Sequence, residues 1–238
     1  RFTLEGFYKV YGNYPVSVRD GISLANQGGD FGAIGNEALS SNGKGRTYGF
    51  EFYFQQKLVQ NLFAVFSYTF VRSEFSGLDG KYVASAWDNR HLISALFGYK
   101  LKRNWELGLK YRFAGGAPFT PFDETASRLN YLSTGSGVLN FSQLNSQRLA
   151  SFNQLDIRVD KKYNFKRVTL DLFLDIQNVV AFAAPSFPRY AFKRTDDNSG
   201  FATTDGNAIQ ADGSNAIPVI LPNDPGRPLP TIGFILEF

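Results

Sequence analysis

The chain has 238 residues, a mass of 26.6 kDa, a formal net charge of +4, one His and no Cys. The lack of Cys excludes disulfide scaffolds, thiol nucleophiles and Cys-ligated zinc or iron–sulfur centres, and a single imidazole excludes a His-rich metal centre. Aromatic residues make up 16% of the chain, which favours strands. A chain that begins at Arg1 and contains no Met is expected to be a processed product or a fragment.

Apolar and polar residues alternate with a period of two from the N-terminus onward. In the first segment Phe2, Leu4, Tyr8 and Val10 share one face, opposite Thr3, Glu5 and Lys9. The same alternation marks residues 48–55, 105–113, 155–160 and 168–177. A helix would scatter the polar residues around its surface, whereas a strand places them on one side. With weaker patterns at residues 62–71, 92–101 and 231–238, the sequence predicts about eight strands. The sequence contains no run of about 18 apolar residues, so it predicts no transmembrane helix. A membrane-spanning strand, however, needs only about 9–11 residues.

The connections between these segments alternate in length along the chain. Short connections lie around residues 59–60, 102–104 and 164–167, and long ones cover residues 13–46, 73–89, 114–148 and 182–230. All the long connections therefore lie at one end of an antiparallel meander. Outer-membrane barrels have this arrangement, with short periplasmic turns and long extracellular loops.

Alternation alone does not separate a soluble β-sandwich from a membrane barrel. Strand length, the one-sided loops and aromatic residues near strand ends favour the barrel. The aromatic residues assigned to interfacial girdles are Tyr11, Tyr68, Phe70, Tyr99, Trp105, Tyr111, Phe113 and Tyr163. In a barrel the charged face lines the lumen, so Asp156, Asp160, Asp171 and Asp175 are expected to form a solvated, cross-strand-paired wall and not an active site.

The C-terminal segment resembles the assembly signal of bacterial outer-membrane proteins. Thr231, Gly233, Leu236 and Phe238 fill its polar, Gly, hydrophobic and terminal aromatic positions. The expected use is pairing of this strand with an edge of the barrel assembly machinery. The alternative is a hydrophobic terminal strand of any β protein.

Further motifs resemble the C-terminal barrel of TonB-dependent outer-membrane receptors, and they occur in order along nearly the whole chain. They are Glu5-Gly6-Phe7-Tyr8-Lys9, Gly45-Arg46-Thr47-Tyr48-Gly49-Phe50-Glu51, Ser67-Tyr68-Thr69, Trp87-Asp88-Asn89-Arg90-His91, Tyr111-Arg112-Phe113-Ala114-Gly115-Gly116-Ala117-Pro118-Phe119-Thr120, Gln154-Leu155-Asp156-Ile157-Arg158 and Leu174-Asp175-Ile176-Gln177-Asn178-Val179. The loop style resembles the receptors of Bacteroidota.

The resemblance implies more than this chain contains. The family has a 22-stranded barrel, an N-terminal plug and a short segment that TonB grips. Residues 1–238 are therefore expected to be the C-terminal part of the barrel domain, without the plug. The implied function is active uptake across the outer membrane of a scarce metal chelate, vitamin, glycan or peptide. The implied partners are outer-membrane lipid and lipopolysaccharide, the TonB complex through the missing N-terminal part, and a surface lipoprotein lid.

The resemblance implies no covalent chemistry, and we expect no catalytic residue, cofactor or bound metal. His91 is expected to be structural. The longest loop combines cations with aromatics at Arg189, Tyr190, Phe192, Lys193 and Arg194, which suits contact with a ligand or with lipopolysaccharide phosphates. Packing within the loop is the equal alternative. The basic residues are dispersed, so no nucleic-acid partner is expected.

A different class of function also fits this sequence. The chain would then be a complete eight-stranded outer-membrane barrel with a structural, adhesive or enzymatic role. Side chains fill the interior of such a barrel, so it would conduct little.

Overall fold

The computed structural model describes residues 1–28 and 35–238. Eight long strands form one antiparallel sheet in chain order, which we call the wall. They are β1 (Phe2–Ser17), β2 (Leu39–Val59), β3 (Leu62–Ser76), β4 (Arg90–Lys100), β5 (Trp105–Ala114), β6 (Phe152–Asn164), β7 (Thr169–Gln177) and β8 (Leu229–Glu237). The predicted meander of about eight strands is confirmed. The described residues contain no second large sheet packed on the wall, as a soluble sandwich would have.

The strand register keeps one face apolar and the other polar across the wall. One row on the apolar face joins Leu62, Tyr99, Leu107, Val159, Leu174 and Ile232. A row on the opposite face joins Lys100, Glu106, Asp160, Phe173 and Gly233. Because side chains alternate between the faces, a register shift of one residue would move the apolar side chains of the shifted strand to the polar face. Pairing with their neighbours also orients β3 and β4, whose patterns are ambiguous in the sequence.

The three short connections lie where the sequence predicts them. Gln60 and Asn61 form the β2–β3 turn, and both have positive φ angles, 48° and 71°. Residues 101–104 link β4 to β5, and residues 165–168 link β6 to β7. The long connections all lie at the opposite end of the wall, which we call the loop end. They are loop 1 (residues 18–38), loop 2 (77–89), loop 3 (115–151) and loop 4 (178–228).

Loop 1 is shorter than the sequence suggests. β1 continues to Ser17 and β2 starts at Leu39, so the hairpin projects beyond the other strands. The predicted loop over residues 13–46 was too long because Gly, Asn and Ser in both strands weaken the alternation. Part of that loop, residues 29–34, lies outside the described residues.

Loops 3 and 4 contain structure that the sequence analysis missed. Helix α1 (Glu124–Thr134) lies in the middle of loop 3. Its N-cap is Asp123, whose Oδ1 accepts a hydrogen bond from the Ala126 N–H at 2.9 Å, and it ends at Gly135 with φ 68°. None of the helices in the described residues is long and apolar enough to cross a membrane.

The remaining short elements also belong mainly to the loops. Two-stranded pairs join Pro118–Phe119 to Gln147–Arg148, Phe122–Asp123 to Val138–Leu139, and Arg189–Phe192 to Pro218–Leu221. Tyr82–Ala84 adds a short strand beside β3. Single 3-10 turns occur at Leu24–Asn26, Lys102–Asn104 and Phe141–Gln143.

The buried apolar core lies at the loop end, in the last residues of the wall strands and in the loops. The fully buried side chains include Phe75, Val16 and Phe192. By contrast, Ile232 and Phe234 on β8 are 84% and 66% exposed. The wall has open edges, because within the described residues β1 pairs only with β2 and β8 only with β7. An apolar face without a covering layer is what a surface in contact with lipid requires.

Candidate ligand-facing loops and inner wall

Two buried amides tie loops 1, 2 and 3 together at the loop end. Asn145 of loop 3 donates through Nδ2 to the carbonyl oxygens of Asn26 and Ala84, both at 2.8 Å. Asn26 of loop 1 in turn donates to the carbonyls of Val83 and Ala84 in loop 2. Both side chains are more than nine-tenths buried. The sequence analysis missed these residues because an Asn in a polar loop carries no pattern that distinguishes a buried one.

Asp88 joins loops 2 and 3 to the top of the wall. Its carboxylate is fully buried, accepts from the Ser73 N–H at 2.7 Å and pairs with the Arg148 guanidinium at 2.5 Å. Arg72 and Arg90 lie 3.4 and 3.9 Å from the same carboxylate. Arg148 also donates to the carbonyls of Asp88 and Gly116. The Asp of the Trp87–His91 motif is therefore an anchor for the loops.

Loop 4 builds a separate small core together with helix α1. Tyr190 and Phe192 are 7% and 2% exposed, and Tyr131 of α1 packs against both, with ring centroids 5.9 and 4.4 Å away. The cluster also contains Phe122, Phe201, Ile209 and the fully buried Ala216. The five cation and aromatic residues singled out in this loop are thus divided: Tyr190 and Phe192 pack inside it, and Arg189, Lys193 and Arg194 are exposed. Contact of these residues with a ligand or with lipopolysaccharide stays a prediction.

Three aspartates shape the tight turns at the tip of loop 4. Hydrogen bonds from Thr195 and Ser199 lower the pKa of the Asp197 carboxyl from 3.8 to about 2. The pKa of Asp205 is lowered mainly by the Asn207 N–H, and that of Asp212 mainly by the Ser214 N–H. All three carboxylates accept bonds from the residue two positions later, which is the geometry of Asx turns.

Charged side chains on the inner face of the wall pair with one another. Lys162 on β6 lies 3.3 Å from Glu106 on β5 and 3.9 Å from Asp171 on β7. Lys110 on β5 lies 4.0 Å from Asp156 on β6. These contacts confirm the predicted cross-strand pairing for Asp156 and Asp171. Asp160 differs, because its partner is Arg158 on the same strand, at 2.7 Å.

The four residues of the C-terminal signal divide between the faces of β8. Thr231 and Gly233 belong to the inner face, where they lie opposite Asp175 and Phe173, and Leu236 belongs to the apolar face. Gly233 makes room for the Phe173 ring, because a Cβ there would lie 2.4 Å from Cζ of Phe173. The Arg158 guanidinium lies 4.0 Å above the same ring. Phe238 is 96% exposed.

Aromatic residues lie near both margins of the apolar face, but one residue assigned to a girdle does not. Near the short turns, Lys161 Nζ lies 5.2 and 5.3 Å from the rings of Trp105 and Tyr163. Nearer the loop end, the Tyr68 hydroxyl is hydrogen-bonded to Nδ1 of His91 at 2.9 Å, which is a structural use of that imidazole. Tyr11 was assigned wrongly to a girdle, since its ring packs on Tyr14 and on the buried Phe75.

The chain is similar to one family of β-barrels. A family model described as "TonB dependent receptor-like, beta-barrel" matches residues 1–179. The ferric-catecholate import receptor Fiu from E. coli K12 aligns over 99% of this chain and 25% of its own, with 13% identity and a TM-score of 0.54. A chain of the FpvAI–pyocin S2 complex aligns over the same shares, with 14% identity and a TM-score of 0.52. These likenesses show the fold, and the chain spans about a quarter of the length of either structure. No curated protein matches it.

Proposed function

Since this chain belongs to the β-barrel family of TonB-dependent receptors, we propose that it supplies part of the wall and four extracellular loops of a receptor for active uptake. Proteins of this family are outer-membrane barrels of Gram-negative bacteria, and the chain lies in that membrane. The whole receptor would take up a scarce metal chelate, vitamin, glycan or peptide. The ligand and the Bacteroidota type stay predictions.

One observation carries the proposal: an open wall that bears its ordered loops at one end. β1 and β8 do not pair with each other, and their free edges need further strands because unpaired backbone groups are not tolerated in hydrocarbon. An eight-stranded barrel would instead close β8 onto β1. The open wall therefore favours the large barrel over the alternative of a complete small one.

Residues 1–238 are accordingly proposed to be the C-terminal part of the barrel domain, with the plug supplied by chain outside them. TonB would act on that missing part. Lipid and lipopolysaccharide would meet the apolar face, the assembly machinery would meet β8, and a lipoprotein lid would meet the loops. The inner wall would face the plug with charged pairs such as those that Lys162 forms with Glu106 and Asp171.

Competitive growth tests the proposed uptake. A strain that lacks the encoding gene is grown against its parent in media limited in turn for an iron chelate, cobalamin, a glycan or a peptide. We expect a defect in one of these media only, and we expect no further defect when the gene is deleted in a strain that already lacks TonB. Additive defects of the two deletions would contradict TonB-dependent uptake.

A further inference from the structure

A cavity between loops 3 and 4 is built like a small-molecule site. Its volume is about 470 Å³, which lies within the usual range of about 300–1,000 Å³ for ligand pockets. The rings that line it are Phe119, Phe122, Tyr131, Phe187 and Tyr190. Gly135, Ser136 and Gly137, which follow helix α1, form another part of its lining. Flat walls of this kind suit a planar ring, because aromatic pairs prefer offset or edge contacts.

The Tyr190 hydroxyl is an unusual feature of this cavity. It is buried and has no hydrogen-bond partner among the described residues, although most buried polar atoms are satisfied. Burial raises the pKa of the Tyr190 phenol, and the nearby Arg128 opposes that rise, so the group is a neutral hydroxyl at pH 7. A buried hydroxyl without a partner costs free energy that a ligand would recover by bonding to it. Tyr190 also lines a second cavity of about 490 Å³, which shares Phe119 and Phe122 with the first.

Charge at the cavity favours an anion. Arg189 lines it, is exposed, and makes no ion pair among the residues that the structure describes. No Asp or Glu is among the described lining residues. The C-terminal end of α1 opposes an anion, but a helix end carries only about half a unit charge, whereas the guanidinium carries a full one.

We propose that the cavity between loops 3 and 4 binds a planar aromatic ring that carries a carboxylate. The ring lies against Phe122 and Tyr190, the carboxylate pairs with Arg189, and the Tyr190 hydroxyl hydrogen-bonds to the ligand. The inference rests on the proposed function, since it assigns part of a receptor's ligand to these loops. It adds the chemical class of the ligand, which the fold alone does not indicate.

The test uses 4-fluorobenzoate as the probe and the purified full-length receptor in a detergent free of fluorine. Line broadening in ¹⁹F NMR reports binding, and we expect a Kd of about 1 mM, an ordinary value for a ligand of about ten non-hydrogen atoms. Unlabelled benzoate is expected to displace the probe. Cyclohexanecarboxylate has the same charge without a planar ring, and benzyl alcohol has the ring without the charge. We expect both to compete at least about tenfold less well, a difference of about 1.4 kcal/mol.

Variants separate this site from general charge effects. Arg189→Gln is expected to weaken probe binding about tenfold, and Tyr190→Phe about threefold to tenfold, the effect of one hydrogen bond. The matched control is Arg194→Gln, because Arg194 lies in the same loop, 5.3 Å above the Phe201 ring and outside the cavity. It should bind the probe like the wild type.

The proposal is overturned if the wild type does not bind the probe, or if cyclohexanecarboxylate competes as well as benzoate. Equal weakening by the Arg189 and Arg194 variants would also overturn it. The measurement needs neither TonB nor transport. Probe binding without a growth defect would therefore contradict the proposed function alone, and a growth defect without probe binding would contradict this inference alone.

Discussion

At the scale of single residues, Asp88 shows how one buried carboxylate can hold the loops to the wall. It is fully buried among Arg72, Arg90 and Arg148, and it also accepts the Ser73 N–H. An uncompensated buried charge costs several kcal/mol. The anchor is therefore strong only while its negative charge is present.

Asp88→Asn is expected to loosen loop 3 where it meets β3. The amide can still accept from Ser73, but Arg90 and Arg148 lose their counter-charge and Arg72 keeps only Glu74, 3.1 Å away, at a cost of about 3 kcal/mol. Opening should become about 100-fold more frequent, and tryptic cleavage after Arg148 should accelerate by a similar factor, if opening and closing are fast. Mass spectrometry of timed digests of the full receptor measures this.

The matched control for that change is Asp79→Asn, another Asp of loop 2. Asp79 is exposed and, within residues 1–28 and 35–238, accepts only the Lys81 N–H at 3.0 Å, so its loss should leave the cleavage rate unchanged. Equal rates for the two variants would show that Asp88 is no anchor.

Asp197 gives a prediction for acid pH. Its pKa is depressed in the folded loop, to about 2, so the stability that it contributes is fully present above its ordinary pKa of 3.8 and is lost as the pH falls through about 2. The amide proton of Ser199, which donates to this carboxylate, should shift with a midpoint near 2 in an NMR titration of the receptor. A midpoint near 3.8 would refute the turn geometry, and Asp197→Asn should abolish the titration.

At the scale of elements, β8 raises the question of what Gly233 is for. The C-terminal pattern predicts recognition by the assembly machinery, whereas the structure gives the residue a packing role beneath Phe173. A Cβ at 2.4 Å from the ring would force it away from Arg158. Such overpacking is expected to cost about 1 kcal/mol here, because the atoms that must move are the far end of a half-exposed ring.

Gly233→Ala is expected to lower the yield of folded, heat-modifiable receptor in the outer membrane, and Phe173→Ala should restore it by removing the ring. Gly6→Ala on β1 is the matched control, since its nearest neighbour would be the Gly49 oxygen at an ordinary 3.9 Å. If Phe173→Ala does not restore the yield of the Gly233→Ala receptor, the assembly machinery recognises the glycine directly and the packing role is wrong.

The same elements show which parts of the structure a sequence can predict. The wall was predictable because a two-sided strand must alternate, as β7 does from Thr169 to Gln177. Helix α1 was not, because its segment ETASRLNYLST is mostly polar and depends on the cap at Asp123 and on packing through Tyr131. For the same reason, the sequence could not distinguish whether Tyr190 and Phe192 contact a ligand or pack in a core. Their burial depends on Phe122, far away in the chain.

At the scale of the whole molecule, the wall is an open sheet with an apolar outer face and a charged inner face. Its free edges at β1 and β8 leave backbone groups unpaired, and its uncovered outer side chains, such as Ile232, are unfavourable in water. Further strands that continue the sheet into a large barrel would pair the edges, and lipid would cover the outer side chains. The central proposal is therefore that this wall is one part of a larger receptor barrel; the chain spans 25% of the length of Fiu.

The intact mass of the native polypeptide tests this claim most directly. The protein that yields peptides of this sequence is purified from outer membranes, fully denatured and weighed by mass spectrometry. The account predicts a mass several-fold above the 26.6 kDa of this chain, enough for a plug and the remaining strands. A mass near 26.6 kDa would contradict it, and the chain would then be a small barrel that closes β8 onto β1.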